Sequence, residues 1–168
     1  MTTDGTNAIL AVRPFDSIQS LIEFVGQPAI VSGTVAVTQQ MIDQFAQVTN
    51  DNQWIHVDGD RAKSESPYRQ TIAHGFLVLS LLTDWQTSCI AFPGAAMLLN
   101  YGFDKVRFTS PVLSGARVSA SFTLAQVVET RPGEARCTWS VAIAAEGAAR
   151  PSVHAEWLML VRYAEAQP

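Results

Sequence analysis

The chain has 168 residues and a mass of 18.2 kDa, which fits one domain with a substantial core. A formal net charge of −4 and a pI near 5.2 argue against nucleic-acid binding, which calls for a basic surplus. Only 15% of residues are charged while 48% are hydrophobic, which points to surface covered by self-association.

In chain order, Met1 to Asn7 is polar with one charge, Asp4, and lacks the basic start and apolar core of a signal peptide. Residues 16–25 have helical spacing, with Asp16 or Ser17 as the cap and Gly26 as the stop. A short extended piece, Ile30 to Val37, follows. Residues 1–34 read as an N-terminal helical extension of a single domain spanning 1–168. The next helix starts at the N-cap Thr38, and Met41, Ile42, Phe45, Ala46 and Val48 form its apolar stripe. It runs into Thr49-Asn50-Asp51-Asn52, residues that favour a helix exit and a turn.

Residues 57–71, with Gly59 and Pro67, read as a polar loop. It carries the richest basic cluster, Arg61, Lys63 and Arg69, which is either a solvated surface or a patch for a phosphorylated ligand. A helix is predicted from about Ala73 to Ile90, apolar on nearly every side through Phe76, Leu77, Val78, Leu79, Leu81, Leu82 and Trp85. Such a helix is a buried one. Its apolar run, Phe76 to Leu82, is interrupted by Ser80 and falls far short of the ~20 residues that span a bilayer. Cys89 and Cys137 sit among apolar neighbours without CxxC or ligand spacing and read as buried, reduced thiols. A soluble, cytoplasmic protein with no membrane partner is the expectation.

The remainder switches to period two. Val118, Ala120, Phe122 and Leu124 share one face, as do Cys137, Trp139, Val141 and Ile143, and then Val153, Ala155, Trp157, Met159 and Val161. Turn signals at Arg131-Pro132-Gly133 and at Gly147 to Pro151 separate them. Antiparallel strands that each bury one face, after one buried helix, imply an α+β domain with the sheet wrapped around that helix, a hot-dog fold.

Asp51 and His56 are candidates for acid–base work. On a continuous helix they would diverge by about 140°, and in a straight strand they would face opposite sides. They converge only if residues 51–56 bend. Otherwise Asp51 caps a turn and His56 packs at a strand start, and Asp58 is a rival partner for His56 in an extended segment. Gly75, at the start of the buried helix, offers backbone amides that lack intrahelical acceptors to a developing negative charge. It equally suits close helix–sheet packing. His74 at the same place reads first as a loop-fixing hydrogen-bond donor, and His154 as surface or interface. The three histidines lack metal-ligand spacing, so no metal is expected.

Asp51-Asn52-Gln53-Trp54-Ile55-His56, Thr71-Ile72-Ala73-His74-Gly75-Phe76-Leu77 and Asn100 to Phe108 followed by Pro111-Val112 together resemble the MaoC-like dehydratase family of hot-dog proteins. The similarity is to its nodulation-protein-N-like branch, which includes (R)-specific enoyl-CoA hydratases. It extends from about Val37 to Val128. Asn52 after the Asp, Gln53-Trp54 where Asn-Pro is common, and Asn50 in place of the usual Gly depart from the family pattern.

The resemblance implies that Asp51 and His56 activate one water for attack on C3 of a trans-2-enoyl thioester. The Gly75 amide would bind the thioester oxygen, Asn52 would orient the pair, and His74 would support it. Trp54 would shape the acyl pocket and Thr83 would line it. It also implies a homodimer joined edge to edge, with coenzyme A phosphates (or a carrier protein's) on Arg61, Lys63 and Arg69, or on Lys105 and Arg107. No cofactor is implied. A thioesterase and a non-catalytic acyl-CoA binding or scaffold protein are the competing readings. Which of Asp51 and His56 is base and which is acid stays open at this level.

Overall fold

The computed structural model describes residues 12–164, so the polar stretch from Met1 to Asn7 lies outside it. From the N-terminal side come β1 (Arg13–Pro14), α1 (Ile18–Phe24), β2 (Ile30–Val31), β3 (Val35–Ala36) and α2 (Gln39–Thr49). The middle of the chain holds α3 (Trp54–Val57), α4 (Gly59–Glu65), α5 (Gly75–Ser80), α6 (Leu82–Cys89) and β4 (Ile90–Ala91). Four long strands complete the fold: β5 (Ala95–Phe108), β6 (Arg117–Arg131), β7 (Glu134–Ala145) and β8 (Val153–Tyr163).

The main sheet runs in the order β2-β6-β7-β8-β5, with β3 also on β6, and every pair in it is antiparallel. The period-two residues bury as expected: Phe122, Trp139 and Trp157 all lie on the inner face, at most 2% exposed. Against them pack Leu77, Val78, Leu82 and Trp85 of α5 and α6. This is the α+β hot-dog arrangement, an antiparallel sheet around a central helix. The first 34 residues contribute more than a helix to it. Ser17 closes a capping box on α1, and β2 then joins the sheet through Ile30 and Val31. A further two-residue parallel pair, β1 with β4, ties the segment before α1 to the end of α6.

Several local expectations are corrected. Residues 57–71 are not all loop. Asp58 Oδ1 accepts from Arg61 N at 3.0 Å and starts α4, and the Arg69 guanidinium donates to the Lys63 and Ser64 carbonyls at its end. Side chains satisfying both ends outweigh Gly59 at the first turn. Val48 leaves the predicted stripe of α2 and is 86% exposed, whereas Ile42 and Ala46 are buried. The central helix is broken at Leu81, where Ser80 Oγ donates to Leu77 O and competes with the backbone ladder. It is not buried all round either, since Phe76 is 69% exposed. Among the described residues no helix is long and apolar enough to cross a membrane.

Candidate active site

The site begins at the end of α2. Asn50 closes that helix in the left-handed conformation, φ 60°, which asparagine tolerates because its short amide can bond locally. The chain turns through Asp51, Asn52 and Gln53 and re-forms one helical turn, α3, with His56 buried inside it. Two bonds join this turn to the strand-like segment before α5: Ile72 N donates to Ile55 O at 3.0 Å, and His56 Nδ1 lies 2.7 Å from Ile72 O. A carbonyl can only accept, so Nδ1 carries the hydrogen. In the neutral ring, Nε2 therefore holds the free lone pair.

His74 packs behind His56. Its Nε2 donates to the Asp51 main-chain oxygen at 3.0 Å, pinning the α2 exit to the start of α5, and its Nδ1 is buried without a partner among the described residues. The two imidazoles stack at 3.8 Å with 27° between planes, and Phe45 flanks His74 at 5.2 Å. The bend that convergence requires is thus present. One polar side-chain atom from each of Asp51, His56 and His74 lies within 4.8 Å of the others. That is about the span of one water bonded at about 2.8 Å to two partners. The same trio contains metal-ligand types that the spacing in sequence did not reveal. His56 Nδ1 and His74 Nε2 each face a backbone carbonyl, those of Ile72 and Asp51.

Burial holds the His56 pKa below its ordinary value of 6.5. The bond to the Ile72 carbonyl opposes that shift, the neighbouring His74 adds to it, and the Asp51 charge opposes it. A buried imidazole with a free lone pair and a nearby carboxylate can take a proton near neutral pH.

His56 lines a cavity of about 460 Å³ together with Tyr68, Gly75, Val78, Phe108 and Val153. The Gly75 N–H is the first of α5 and donates to no backbone acceptor among the described residues. It offers an unpaired donor beside His56. A Cβ at Gly75 would lie 2.8 Å from Phe108 Cδ1, so only glycine fits under that ring.

Other expected residues do not line the cavity. Asp51 is 53% exposed and stands 3.9 Å from His74 Nε2 rather than on the cavity wall. Asn52 is exposed and makes no side-chain hydrogen bond among the described residues. Asp58 caps α4 and is no partner of His56. Trp54 is not on the cavity wall either; the Arg61 guanidinium covers its ring at 4.4 Å. Thr83 lines a separate cleft of about 170 Å³ with Leu98, Leu99 and Trp157, because the break at Leu81 lies between it and Gly75. Arg61 pairs with Glu65 and Arg69 caps α4, which leaves Lys63 without a side-chain partner among the described residues. Lys105 pairs with Glu156, and His154 is exposed on the outer sheet face.

Two contributors were not anticipated. Gln39 Nε2 donates to His56 O at 2.8 Å while its Oε1 accepts from Thr71 Oγ1, fastening both halves of the site to the start of α2. Phe108, at the end of β5, forms the wall beside Gly75. Phe108 closes the Asn100 to Phe108 stretch that carries part of the resemblance, but no site role was expected of it there, and Gln39 reads as one more polar helix residue.

A family model described as a MaoC like domain matches residues 22–142. The 3-hydroxyacyl-thioester dehydratase Z of Mycobacterium tuberculosis (strain ATCC 25618 / H37Rv) is 40% identical over 152 residues, covering 90% of this chain and 99% of that protein. Nodulation protein N of Rhizobium meliloti (strain 1021) is 38% identical over 148 residues, covering 88% and 92%. The MaoC-like dehydratase from Rhodospirillum rubrum superposes with a TM-score of 0.71 at 18% identity over 84% of this chain and 94% of its own. An (R)-hydratase from A. caviae does so at 0.61 and 20%, over 79% and 95%; these two likenesses speak to the fold. With a family match over most of its length and relatives at about 40% identity, the chain belongs to the MaoC-like dehydratase family and is a hydratase/dehydratase.

Proposed function

We propose that the protein hydrates trans-2-enoyl thioesters to (R)-3-hydroxyacyl thioesters, or runs the reverse dehydration. The observation that carries this reading is the pairing of a lone-pair nitrogen on His56 with the unpaired Gly75 amide in one cavity. Water held by His56 and Asp51 attacks C3 and gives its proton to His56 Nε2. The C2=C3 electron pair moves through C2 onto the thioester oxygen, where the Gly75 N–H stabilises the enolate. The imidazolium then returns a proton to C2, and the thioester re-forms. One water has been added and His56 is regenerated. The Asp51 carboxylate orients the water and stabilises the charged ring in passing. The 40% identity to a protein named for 3-hydroxyacyl-thioester dehydration supports the substrate class.

The test is incubation with crotonyl-CoA, following loss of enoyl-thioester absorbance and release of free thiol in parallel. Hydration without thiol release is expected. Thiol release alone would make the protein a thioesterase, and neither signal would sink both readings for this substrate.

The working unit in this proposal is a homodimer joined along β5. That strand is paired on one side only among the described residues, and Leu98, Leu99 and Tyr101 are each more than 40% exposed there. A long apolar edge without a partner invites pairing with another chain. Sedimentation at micromolar concentration should give twice the chain mass; a monomer there would refute the dimer.

A further inference from the structure

Phe108 lines the cavity directly beside Gly75. Its ring carbons Cδ1, Cε1 and Cγ lie 2.8, 2.9 and 3.1 Å from where a Gly75 Cβ would stand, so the ring rests directly on the glycine whose amide is unpaired. Phe76 packs edge-on against that ring at 5.7 Å, and the Phe108 backbone pairs with Val153, another wall residue. The ring is therefore held from its edge and from its backbone. Phe108 is nonetheless 47% exposed, which places it where the cavity meets solvent.

On the proposed hydration of enoyl thioesters, on which this inference rests, the thioester oxygen sits at the Gly75 N–H. C2, one bond from the carbonyl carbon, must then lie within reach of His56. The wall that flanks Gly75 at that point is Phe108. We propose that Phe108 is a specificity-determining residue that admits acyl thioesters with hydrogen at C2 and excludes those carrying a methyl branch there. An aromatic ring resting on a glycine discriminates against one added carbon, because making room for it requires the ring or the helix start to shift.

The experiment compares crotonyl-CoA with its 2-methyl analogue, tigloyl-CoA, using wild type, Phe108→Ala and Phe108→Leu, each checked for folding by thermal melting. Wild type should hydrate crotonyl-CoA and discriminate strongly against the branched substrate. Phe108→Ala should raise the tigloyl-to-crotonyl ratio of kcat/KM by about tenfold or more, the scale expected for one carbon in an apolar pocket. Phe108→Leu should raise it less, and it decides the matter if the alanine variant does not fold. An unchanged ratio in a folded variant, or a wild type that turns over both substrates equally, overturns the proposal alone. A folded wild type inert toward both overturns the hydration reading and this inference with it.

Discussion

Replacing His56 by alanine lowers kcat for enoyl-thioester hydration by about 10²- to 10⁴-fold, the range for a positioned acid–base group. Folding should survive, because the lost bond, Nδ1–H to Ile72 O, is backed by the Ile72 N to Ile55 O bond beside it. The pH profile gives an independent check. His56 works as a base in its neutral form, and burial holds its pKa below 6.5. The rate should therefore be flat at neutral pH and fall only as pH drops through that lowered value. Asp51→Asn removes a charge that raises the His56 pKa, so the residual activity should fall off at lower pH than in wild type. A falling limb above pH 6.5, or an Asp51→Asn profile moved to higher pH, would show that another group is the base. Steady-state rates between acid and neutral pH, with circular dichroism for folding, settle this.

Gly75→Ala should lower kcat by about 10²-fold while leaving the amide in place. The backbone does not require glycine here, since Gly75 is absent from the positive-φ residues and alanine is the better helix former. The conflict is with the Phe108 ring, 2.8 Å from the new methyl carbon. Either the ring swings into the cavity or α5 shifts away from it, and a displacement of about 1 Å at a reacting centre costs about that factor. The melting temperature should fall as well, as for an overpacked contact costing about 1–3 kcal/mol. Unchanged kcat and melting temperature together would mean that the ring yields freely. Enzyme rates and calorimetry on one preparation give both numbers.

Period-two patterning made the three strands from Val118 onward legible because each is half buried, and one inner face repeats through Phe122, Trp139 and Trp157. The central helix was legible in position but not in exposure. Its outer residues, Phe76 above all, are as apolar as its inner ones, and composition cannot tell a face turned to the sheet from one turned outward. Helix α4 was hidden because the bonds satisfying its ends come from Asp58 and Arg69, which read equally well as loop residues. Within the site, Asp51, His56, His74 and Gly75 stood out by residue type at a helix exit and a helix start, and the resemblance rather than their spacing gave them roles. Phe108 and Gln39 reach it from β5 and α2, and only tertiary packing brings such distant positions together. Thr83, which the resemblance set on the acyl pocket, lies beyond the break at Leu81 and lines a separate cleft.

Cys89 lies at the end of α6 and Cys137 near the start of β7, both about 1% exposed, with burial raising their pKa to about 11 and about 12. Neither thiol is ionised or reachable in the closed fold, so an alkylating reagent registers only molecules that have opened. The two sulfurs sit on the two layers of the fold. Labelling at Cys89 counts departures of the helix, and labelling at Cys137 counts separations of the sheet. The chain thus carries its own pair of clocks for the order in which its layers come apart.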